Sequence, residues 1–219
     1  MYVKDSMTVN PVTISADLTI TRVLDLMNQN NFHRLPVVDD RGHLIGLITE
    51  GVIEKNSPSQ ATSLSIHEIN YLLSKTKVKD IMIKKVFTIT PDELLEKAAV
   101  LMRKKEIGCL PVVSGERLVG IITQNDIFDA FVDLLGYHEE ATRVVIEIEQ
   151  DKPGILKQIS TVLSKQKINI TRLTVRKQKD IIYMYVQVQK SDGEIVKALI
   201  EESGYKVVSV IQLPQANGE

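Results

Sequence analysis

Apolar residues recur at helical spacing twice in the first 135 residues of the chain. The first set is Ile20, Val23, Leu24 and Met27, and the second is Leu94, Ala98, Leu101 and Met102. A short extended piece precedes each set, and an apolar LPVV segment, a turn and a second apolar segment follow it. Residues three and four positions apart share one face of a helix, so these residues are predicted to lie in a core. Each copy therefore reads as one α/β unit.

Two sequence patterns in the second copy predict where its first helix begins and which face its last helix buries. Thr90, Pro91 and Glu93 match the pattern of a helix start, because threonine caps the first amides, proline suits the first turn and glutamate reaches back. The last helix of this copy is predicted to bury one apolar face, formed by Ile127, Phe128, Phe131 and Leu135.

The two copies also repeat short sequences in the same order. VKDSM at 3–7 returns as VKDIM at 78–82, LPVV at 35–38 returns at 110–113, and Gly46 returns as Gly120. Because the matched blocks keep their order, we interpret this part of the chain as a tandem duplication. Between the copies, residues 54–77 predict a polar loop around Pro58 and then a short helix over 66–73.

A different pattern follows residue 141. Residues 142–150 alternate, with Val144, Ile146 and Ile148 on one face, as in a half-buried strand. A helix then begins in DKPGIL, two strands follow (INITRLTV and IIYMYVQV), and a second helix ends at Gly204 before a last strand over 205–213. The order βαββαβ implies an antiparallel sheet with both helices on one face.

These motifs resemble two known families. VKD-x-M, LPVV and G-h-h-T-x-x-D together resemble a pair of CBS domains (cystathionine-β-synthase-type repeats) over residues 1 to about 135. D-x-P-G-h-L, followed by Asn-Ile, resembles an ACT domain over about residues 142–213. The order CBS–CBS–ACT is similar to the bacterial acetoin-utilisation family. The resemblance implies a fold class of α/β and α+β: two βαββα repeats in a pseudo-two-fold pair, then a ferredoxin-like βαββαβ domain.

The predicted domain boundaries follow from these resemblances and from the changes of pattern. They are 1–56 for CBS repeat 1, 57–77 for the interrepeat loop and helix, 78–135 for CBS repeat 2, 136–141 for a linker, 142–213 for the ACT domain and 214–219 for a tail.

Composition narrows the classes of function. The formal net charge of 219 residues is −1, so no overall field attracts nucleic acid or an acidic membrane. A single cysteine, no leader pattern and no long apolar stretch predict a cytoplasmic protein without a membrane partner. Phosphate-loop motifs and metal-ligand spacings are missing from the sequence, so we predict a protein that is not an enzyme and requires no metal or cofactor.

The resemblance implies a nucleotide site, and the residues give it a chemical reason. In GIITQND at 120–126, Thr123 and Asp126 would hold a ribose, because an ionised carboxylate accepts hydrogen bonds from both diol hydroxyls. His33 and Arg34, just before LPVV, would reach phosphates across the pseudo-two-fold. Gly108 would let the ligand approach the backbone closely. The expected ligand is an adenine nucleotide: AMP, ADP or ATP.

The other copy departs from this pattern. GLITEGV at 46–52 ends in Val52, which cannot accept a hydrogen bond, and Gly108 and Cys109 stand where the first copy has His33 and Arg34. No cation is therefore expected to face the second cleft, and one site is interpreted as degraded or repurposed. The alternatives are that Asp126 only caps its helix, that Arg34 forms a surface ion pair and that His33 is structural.

The ACT resemblance adds a second set of candidates. Asp151, Gly154 and Asn169 would bind an amino acid, since exposed amides at a helix start suit a carboxylate. The alternative is that Pro153-Gly154 only makes a turn and that the domain dimerises.

Three functions compete on these grounds. A regulatory sensor would bind an adenosine-containing molecule and an amino acid, bias the geometry of a homodimer and act on an unknown target protein, in acetoin or central carbon metabolism. An interaction scaffold would keep the dimer and bind no ligand. A nucleic-acid regulator is disfavoured by the net charge and by the lack of a helix-turn-helix pattern. The sequence favours the sensor.

Overall fold

The computed structural model describes residues 1–57 and 66–214. The chain divides into two compact units, Met1–Asp129 and Ala130–Glu219. The predicted polar loop around Pro58 and residues 215–219 of the predicted tail lie outside the described residues.

Each copy in the first unit has a short helix, a longer helix, two antiparallel strands and a final helix, in that order. The first copy comprises a 3₁₀ helix (Val3–Asp5), β1 (Thr8–Val9), β2 (Ile14–Ser15), α1 (Ile20–Asn30), β3 (Arg34–Val38), β4 (Leu44–Thr49) and α2 (Glu50–Asn56). The link contains α3 (Ile66–Lys75), so the short helix predicted there is confirmed. The second copy comprises α4 (Val78–Ile81), α5 (Leu95–Lys105), β5 (Cys109–Ser114), β6 (Arg117–Thr123) and α6 (Gln124–Leu134). The short strands β1 and β2 of the first copy correspond to single bridges at Ile83 and Ile89 in the second.

The first residues of each copy pair with the other copy. One three-stranded sheet has the order β2-β3-β4 and the other has β1-β6-β5, so β1 belongs to the sheet of the second copy. There Thr8 lies opposite Ile121. In the reverse direction Ile83 bridges to Leu47 of β4, and Val78 joins the buried cluster of the first copy. We call residues 1–9 and 76–83 the exchanged segments.

The repeated VKD motif gives both exchanged segments the same local structure. The Asp5 carboxylate accepts a hydrogen bond from the Tyr2 amide at 2.7 Å, and that of Asp80 accepts one from the Lys77 amide at 2.9 Å. A carboxylate in the first turn satisfies an amide that the helix leaves without an internal partner. The valine of each motif is completely buried.

The methionine that ends each motif packs on the repeated glycine of the other copy. A Cβ atom added to Gly120 would lie 2.6 Å from Met7 Sδ, and one added to Gly46 would lie 2.5 Å from Met82 Sδ. Contacts this short exclude a side chain without rearrangement. The VKD-x-M motif of each copy therefore packs on the G-h-h-T motif of the other copy.

The prediction that Thr90, Pro91 and Glu93 begin a helix was wrong, because these residues form a turn before the helix. Helix α5 begins at Leu95, and the Glu93 amide donates instead to the Thr90 carbonyl at 3.2 Å. The exchanged segment explains the shift, because the amides of Val3 and Lys4 take the carbonyls of Glu93 and Pro91. Leu94, predicted to be in the core, lies before the helix and is 53% exposed.

The prediction that α6 buries its aromatic face was also wrong. Phe128 is 65% exposed and Phe131 is 57% exposed, while Ile127 and Leu135 are half-buried. The helical spacing is correct, but periodicity identifies an apolar face and not what covers that face.

The second unit has the predicted βαββαβ order. Its elements are β7 (Ala141–Ile148), α7 (Ile155–Lys165), β8 (Ile170–Gln178), β9 (Ile181–Gln189), α8 (Gly193–Glu202) and β10 (Lys206–Leu213). The sheet has the order β10-β7-β9-β8 with antiparallel neighbours throughout. Val144, Ile146 and Ile148 join the buried cluster, which confirms the predicted inward face. Gly204, with φ +86°, follows Ser203, the residue that caps the C-terminus of α8.

Hydrogen bonds from side chains of the second unit hold the residues that follow α6. Gln187 is 2% exposed and donates from Nε2 to the Gly136 carbonyl at 3.2 Å. Arg143 Nη2 donates to the Leu135 carbonyl at 2.6 Å and to Gln187 Oε1 at 3.0 Å. The two terminal guanidinium nitrogens of Arg172, Nη1 and Nη2, donate to the two oxygens of the Glu139 carboxylate. We call these residues the Gln187 clamp.

Candidate functional site

Two clefts occupy equivalent places in the first unit. The Thr123 cleft has a volume of about 360 Å³, and the polar residues that line it are Thr8, Asn10, Asn31, His33, Arg34, Thr123, Gln124 and Asn125. The Thr49 cleft has a volume of about 530 Å³, and its polar lining is His33, Arg34, Thr49, Glu50, Lys55, Lys85 and Glu106. An exchanged segment also lines each cleft: Thr8 lines the Thr123 cleft, and Ile83 lines the Thr49 cleft.

Thr123 ends β6 and lines the first cleft. Asp126 is hydrogen-bonded to Thr123 and half-buried, but it is not itself among the residues that line the cavity. Asp126 Oδ2 accepts hydrogen bonds from the Thr123 amide at 2.7 Å and from Thr123 Oγ1 at 2.8 Å. The Asp126 amide lies 3.3 Å from Thr123 Oγ1 and completes a capping box at the start of α6. Asp126 Oδ1 accepts no hydrogen bond from any described residue. The carboxylate is therefore held in place by one oxygen and keeps the other available.

The turn of the first copy keeps half of this arrangement. Thr49 Oγ1 accepts a hydrogen bond from the Val52 amide at 3.3 Å, as Thr123 does from Asp126. The Val52 side chain cannot accept a hydrogen bond, so it returns no bond to Thr49 and offers no acceptor to a ligand. The Glu50 carboxylate, one residue after Thr49, bonds His33 Nδ1 at 2.8 Å. The two clefts thus share a backbone turn and differ in the acid.

Arg34 and Gly108 form the wall that both clefts share. Arg34 Nη1 donates a hydrogen bond to the Gly108 carbonyl. A Cβ atom at position 108 would lie 2.9 Å from Arg34 Nη1, so the glycine leaves room for the guanidinium. His33, Arg34 and Gly108 line both cavities. The sequence prediction gave His33 and Arg34 to one cleft, and the structure places them on the boundary.

The prediction that no cation faces the second cleft was wrong. Lys55 from α2 and Lys85 line the Thr49 cleft, in addition to Arg34. The sequence comparison considered only the two positions before each LPVV segment. Neither lysine is near those positions in the chain, and Lys85 reaches the cleft because the exchanged segment leads into the first copy.

Sequence reasoning also missed the side-chain amides of the Thr123 cleft. Asn10, Asn31, Gln124 and Asn125 line it. Asn31 adopts a left-handed φ of +54° where α1 ends, and Asn10 adopts +49°. Asparagine tolerates this conformation better than most residues. A loop asparagine after an apolar helix was the one signal available, and it predicts a turn as readily as a site.

The ACT candidates are not brought to one place. Gly154 adopts a φ of +99° at the N-cap of α7 and lines a cavity of about 480 Å³ with Lys157, Gln158 and Thr161. Asp151 and Asn169 are exposed and are not among the residues that line this cavity. The Asn169 carbonyl accepts a hydrogen bond from the Gln189 amide at 3.0 Å.

The remaining chemistry of the described residues is sparse. Burial raises the pKa of the Cys109 thiol, which keeps it protonated and a poor nucleophile at neutral pH. Within 1–57 and 66–214, no group of three or more histidine, cysteine, aspartate or glutamate side chains is placed to hold a metal ion. Over the same ranges no helix combines the length and apolar character that a membrane span needs.

Comparison with known proteins agrees with this architecture. Residues 3–53 and 78–133 match the CBS domain, and residues 142–204 match the ACT domain. The chain is 34% identical over 145 residues to a CBS domain-containing protein of Dictyostelium discoideum, which covers 62% of this chain and 94% of that protein.

Solved structures resemble the first unit. A proposed acetoin utilization protein (AcuB) from Vibrio cholerae is 30% identical with a TM-score of 0.52, over 62% of this chain and 93% of that one. The CBS domain pair of protein MJ0100, in complex with 5′-methylthioadenosine and S-adenosyl-L-methionine, is 30% identical with a TM-score of 0.50, over 61% and 97%. CBSX2 in complex with AMP is 26% identical with a TM-score of 0.51, over 61% and 98%.

Proposed function

Since this chain belongs to the CBS domain-containing proteins and carries an ACT domain after its CBS pair, we propose that it is a non-catalytic regulator that senses an adenine nucleotide. The nucleotide binds in the Thr123 cleft. Binding in one unit biases the state of the whole protein, and a coupling of about 1–3 kcal/mol is enough for regulation.

The geometry of Asp126 carries this proposal. Its Oδ2 is taken by Thr123 and its Oδ1 accepts no bond from a described residue. A carboxylate in this state can accept hydrogen bonds from the two hydroxyls of a ribose, each worth about 1.5–3 kcal/mol for a charged acceptor. The capping bonds orient the acid before the ligand arrives, which lowers the entropy lost on binding. Capping the helix and binding a ribose are therefore compatible roles.

Arg34 supplies the positive charge for the phosphate end. Its guanidinium lies at the wall of the cleft, where it bonds the neutral carbonyl of Gly108 and contacts the Cys109 thiol. A phosphate would replace this neutral acceptor with a charged one, which a guanidinium binds more strongly and can bind with two parallel hydrogen bonds. His33 lines the same cleft, and the missing side chain of Gly108 lets Arg34 approach the backbone. The side-chain amides of the cleft provide neutral partners for the base.

Related structures support an adenosine ligand. The MJ0100 pair holds 5′-methylthioadenosine and S-adenosyl-L-methionine, and CBSX2 holds AMP. These ligands share an adenosine group and differ beyond the ribose. We extend the shared group to this chain, with AMP, ADP or ATP as the nucleotide.

The same proposal covers the second unit and the pathway. An amino acid binds at the start of α7, near Gly154, with Asp151 and Asn169 as further candidates. The protein forms a homodimer in the cytoplasm and controls acetoin or central carbon metabolism through a target protein. The likeness to the AcuB structure supports the pathway.

One observation favours the alternative, a dimeric interaction scaffold with degenerate sites. Phe128, Phe131 and Leu134 are exposed along α6, and a protein partner would cover them. Loss of the acid at Val52 is consistent with it. This function predicts that no adenine compound binds.

Titration of the full chain with AMP, ADP and ATP tests the nucleotide site. Asp126→Ala should weaken the best ligand at least about tenfold, equivalent to 1.4 kcal/mol, because the ribose loses its acceptor. Asp129→Ala, an exposed acid one turn further along α6, should leave the affinity unchanged. Calorimetry measures both, and thermal melts check that each variant folds despite the lost cap. Equal affinities of wild type and folded Asp126→Ala would contradict the site.

A further inference from the structure

The charged residues that line the Thr49 cleft differ from those that line the Thr123 cleft. Lys55 and Lys85 line it, and neither forms an ion pair with any residue the structure describes. At the corresponding positions of the other copy the chain has Asp129 and Asn10. Each lysine therefore stands where the other copy has an acid or an amide, and both lysines line the same cavity.

The acids of this cleft offset only part of that charge. Arg34, Lys55 and Lys85 contribute three positive charges, against Glu50 and Glu106. Glu50 is hydrogen-bonded to His33 Nδ1, so one of its oxygens has a donor already. An anionic group that enters the cleft meets a net positive wall.

The rest of the cleft suits an organic ligand that is not selected through its ribose. Val52 replaces the diol acceptor, and its amide occupies Thr49 Oγ1. The walls include Leu47, Ile83 and Phe87, and Lys105 Nζ lies 4.8 Å from the centre of the Phe87 ring. A volume of about 530 Å³ is within the range of small-molecule sites.

We propose that the Thr49 cleft is a second ligand site, which binds a small organic phosphate through Arg34, Lys55 and Lys85 without a contact to a ribose diol. Lysine ammonium groups bind phosphate as mobile point charges, and the arginine offers two donors in a fixed plane. The cleft that lost its acid has thus changed its ligand class. The site does not depend on whether the Thr123 cleft binds a nucleotide, although the two share Arg34.

A nucleotide without the diol separates the two clefts. We would titrate the full chain with 2′,3′-dideoxyadenosine 5′-triphosphate by calorimetry, using wild type, Lys55→Ala/Lys85→Ala, and Lys84→Ala/Lys104→Ala. The last variant removes two exposed lysines of the same unit that line neither cleft, so it matches the change of net charge.

The expected result is one binding event per chain in wild type. The Lys55→Ala/Lys85→Ala variant should bind at least about tenfold more weakly, because two charge-assisted contacts are lost, and the control should stay within about twofold. No binding to wild type, or an equal loss in both double variants, would overturn the proposal. Asp126→Ala should leave this affinity unchanged. A failure of the nucleotide site would instead show as ATP binding that Asp126→Ala does not alter.

Discussion

At the scale of single residues, the first unit depends on contacts between positions far apart in the chain. Gly120 accepts Met7 and Gly46 accepts Met82, and in each case the methionine sulfur occupies the space of a Cβ atom. The Thr8 carbonyl lies 3.0 Å from the same position at Gly120, so the methionine alone cannot relieve the crowding by moving. Glycine is required here by close approach rather than by backbone conformation.

Gly120→Ala should therefore destabilise the protein. Overpacking of a close contact typically costs about 1–3 kcal/mol of unfolding free energy. Gly51→Ala in α2 is the control, because no atom outside the local chain lies within 4 Å of its added Cβ and alanine favours a helix. Urea denaturation measures both. A Gly120→Ala protein as stable as Gly51→Ala would show that the contact is loose.

Some of the candidate site could be predicted from single residues and some could not. Thr123 and Asp126 belong to a repeated motif, so their proximity follows from three-residue spacing. Lys55 and Lys85 belong to no repeated motif, and only the exchanged segments bring Lys85 to the first copy. The amides of Asn10 and Asn31 were hidden because asparagine also suits turns.

At the scale of helices and strands, local patterns located elements better than their ends or their surroundings. The βαββαβ order was predicted from alternation and turn residues, and the structure has it. Helix α5 starts later than its local signal because backbone bonds from residues 3 and 4 compete for the preceding carbonyls. The exposed face of α6 shows the same limit, since a sequence period carries no information on contacts. Nothing in the sequence pattern indicated the Gln187 clamp.

Gly136→Ala tests the importance of that clamp. Gly136 has a φ of +64°, and an added Cβ would lie 2.5 Å from Arg172 Nη1 and 2.8 Å from Gln187 Nε2. Gly115 has the same φ and open space around it, so Gly115→Ala isolates the backbone strain. Displacement of Arg172 or of the buried Gln187 should cost Gly136→Ala about 1–3 kcal/mol more than the control in unfolding free energy. Chemical denaturation followed by circular dichroism checks the difference, and equal losses would mean that the clamp adapts freely.

At the scale of the whole molecule, ion pairs connect segments that are distant in sequence. Asp17, before α1, bonds both Lys77 and Lys79 of an exchanged segment, at 3.1 and 2.8 Å. These bonds hold the pKa of the Asp17 carboxyl below its ordinary 3.8. In the second unit Arg172 lowers the pKa of Glu139 in the same way.

Stability should therefore fall in acid. Both carboxyls have a lower pKa in the folded than in the unfolded protein, so their stabilisation is present above about pH 4.5 and is lost as the pH falls through the folded values. Melting temperature measured from pH 7 to pH 3 should decline, and Asp17→Asn should decline less steeply over that range. Asp25→Asn, an exposed acid of α1 without an ion pair among the described residues, should follow wild type. Parallel curves for all three proteins would contradict this assignment.

The reciprocal contacts of the two copies also bear on how the clefts came to differ. Two separate chains of one repeat could make the same exchange, but each would then carry the same residues, and any substitution would appear in both clefts at once. A single chain that contains both copies breaks this symmetry while it keeps the packing. One turn can then retain Asp126 while the other has Val52 beside Lys55 and Lys85. Because both copies lie in one chain, a substitution can change the residues of one cleft and leave those of the other as they are. Arg34 lines both clefts, so a ligand that moves Arg34 in one cleft also changes the wall of the other.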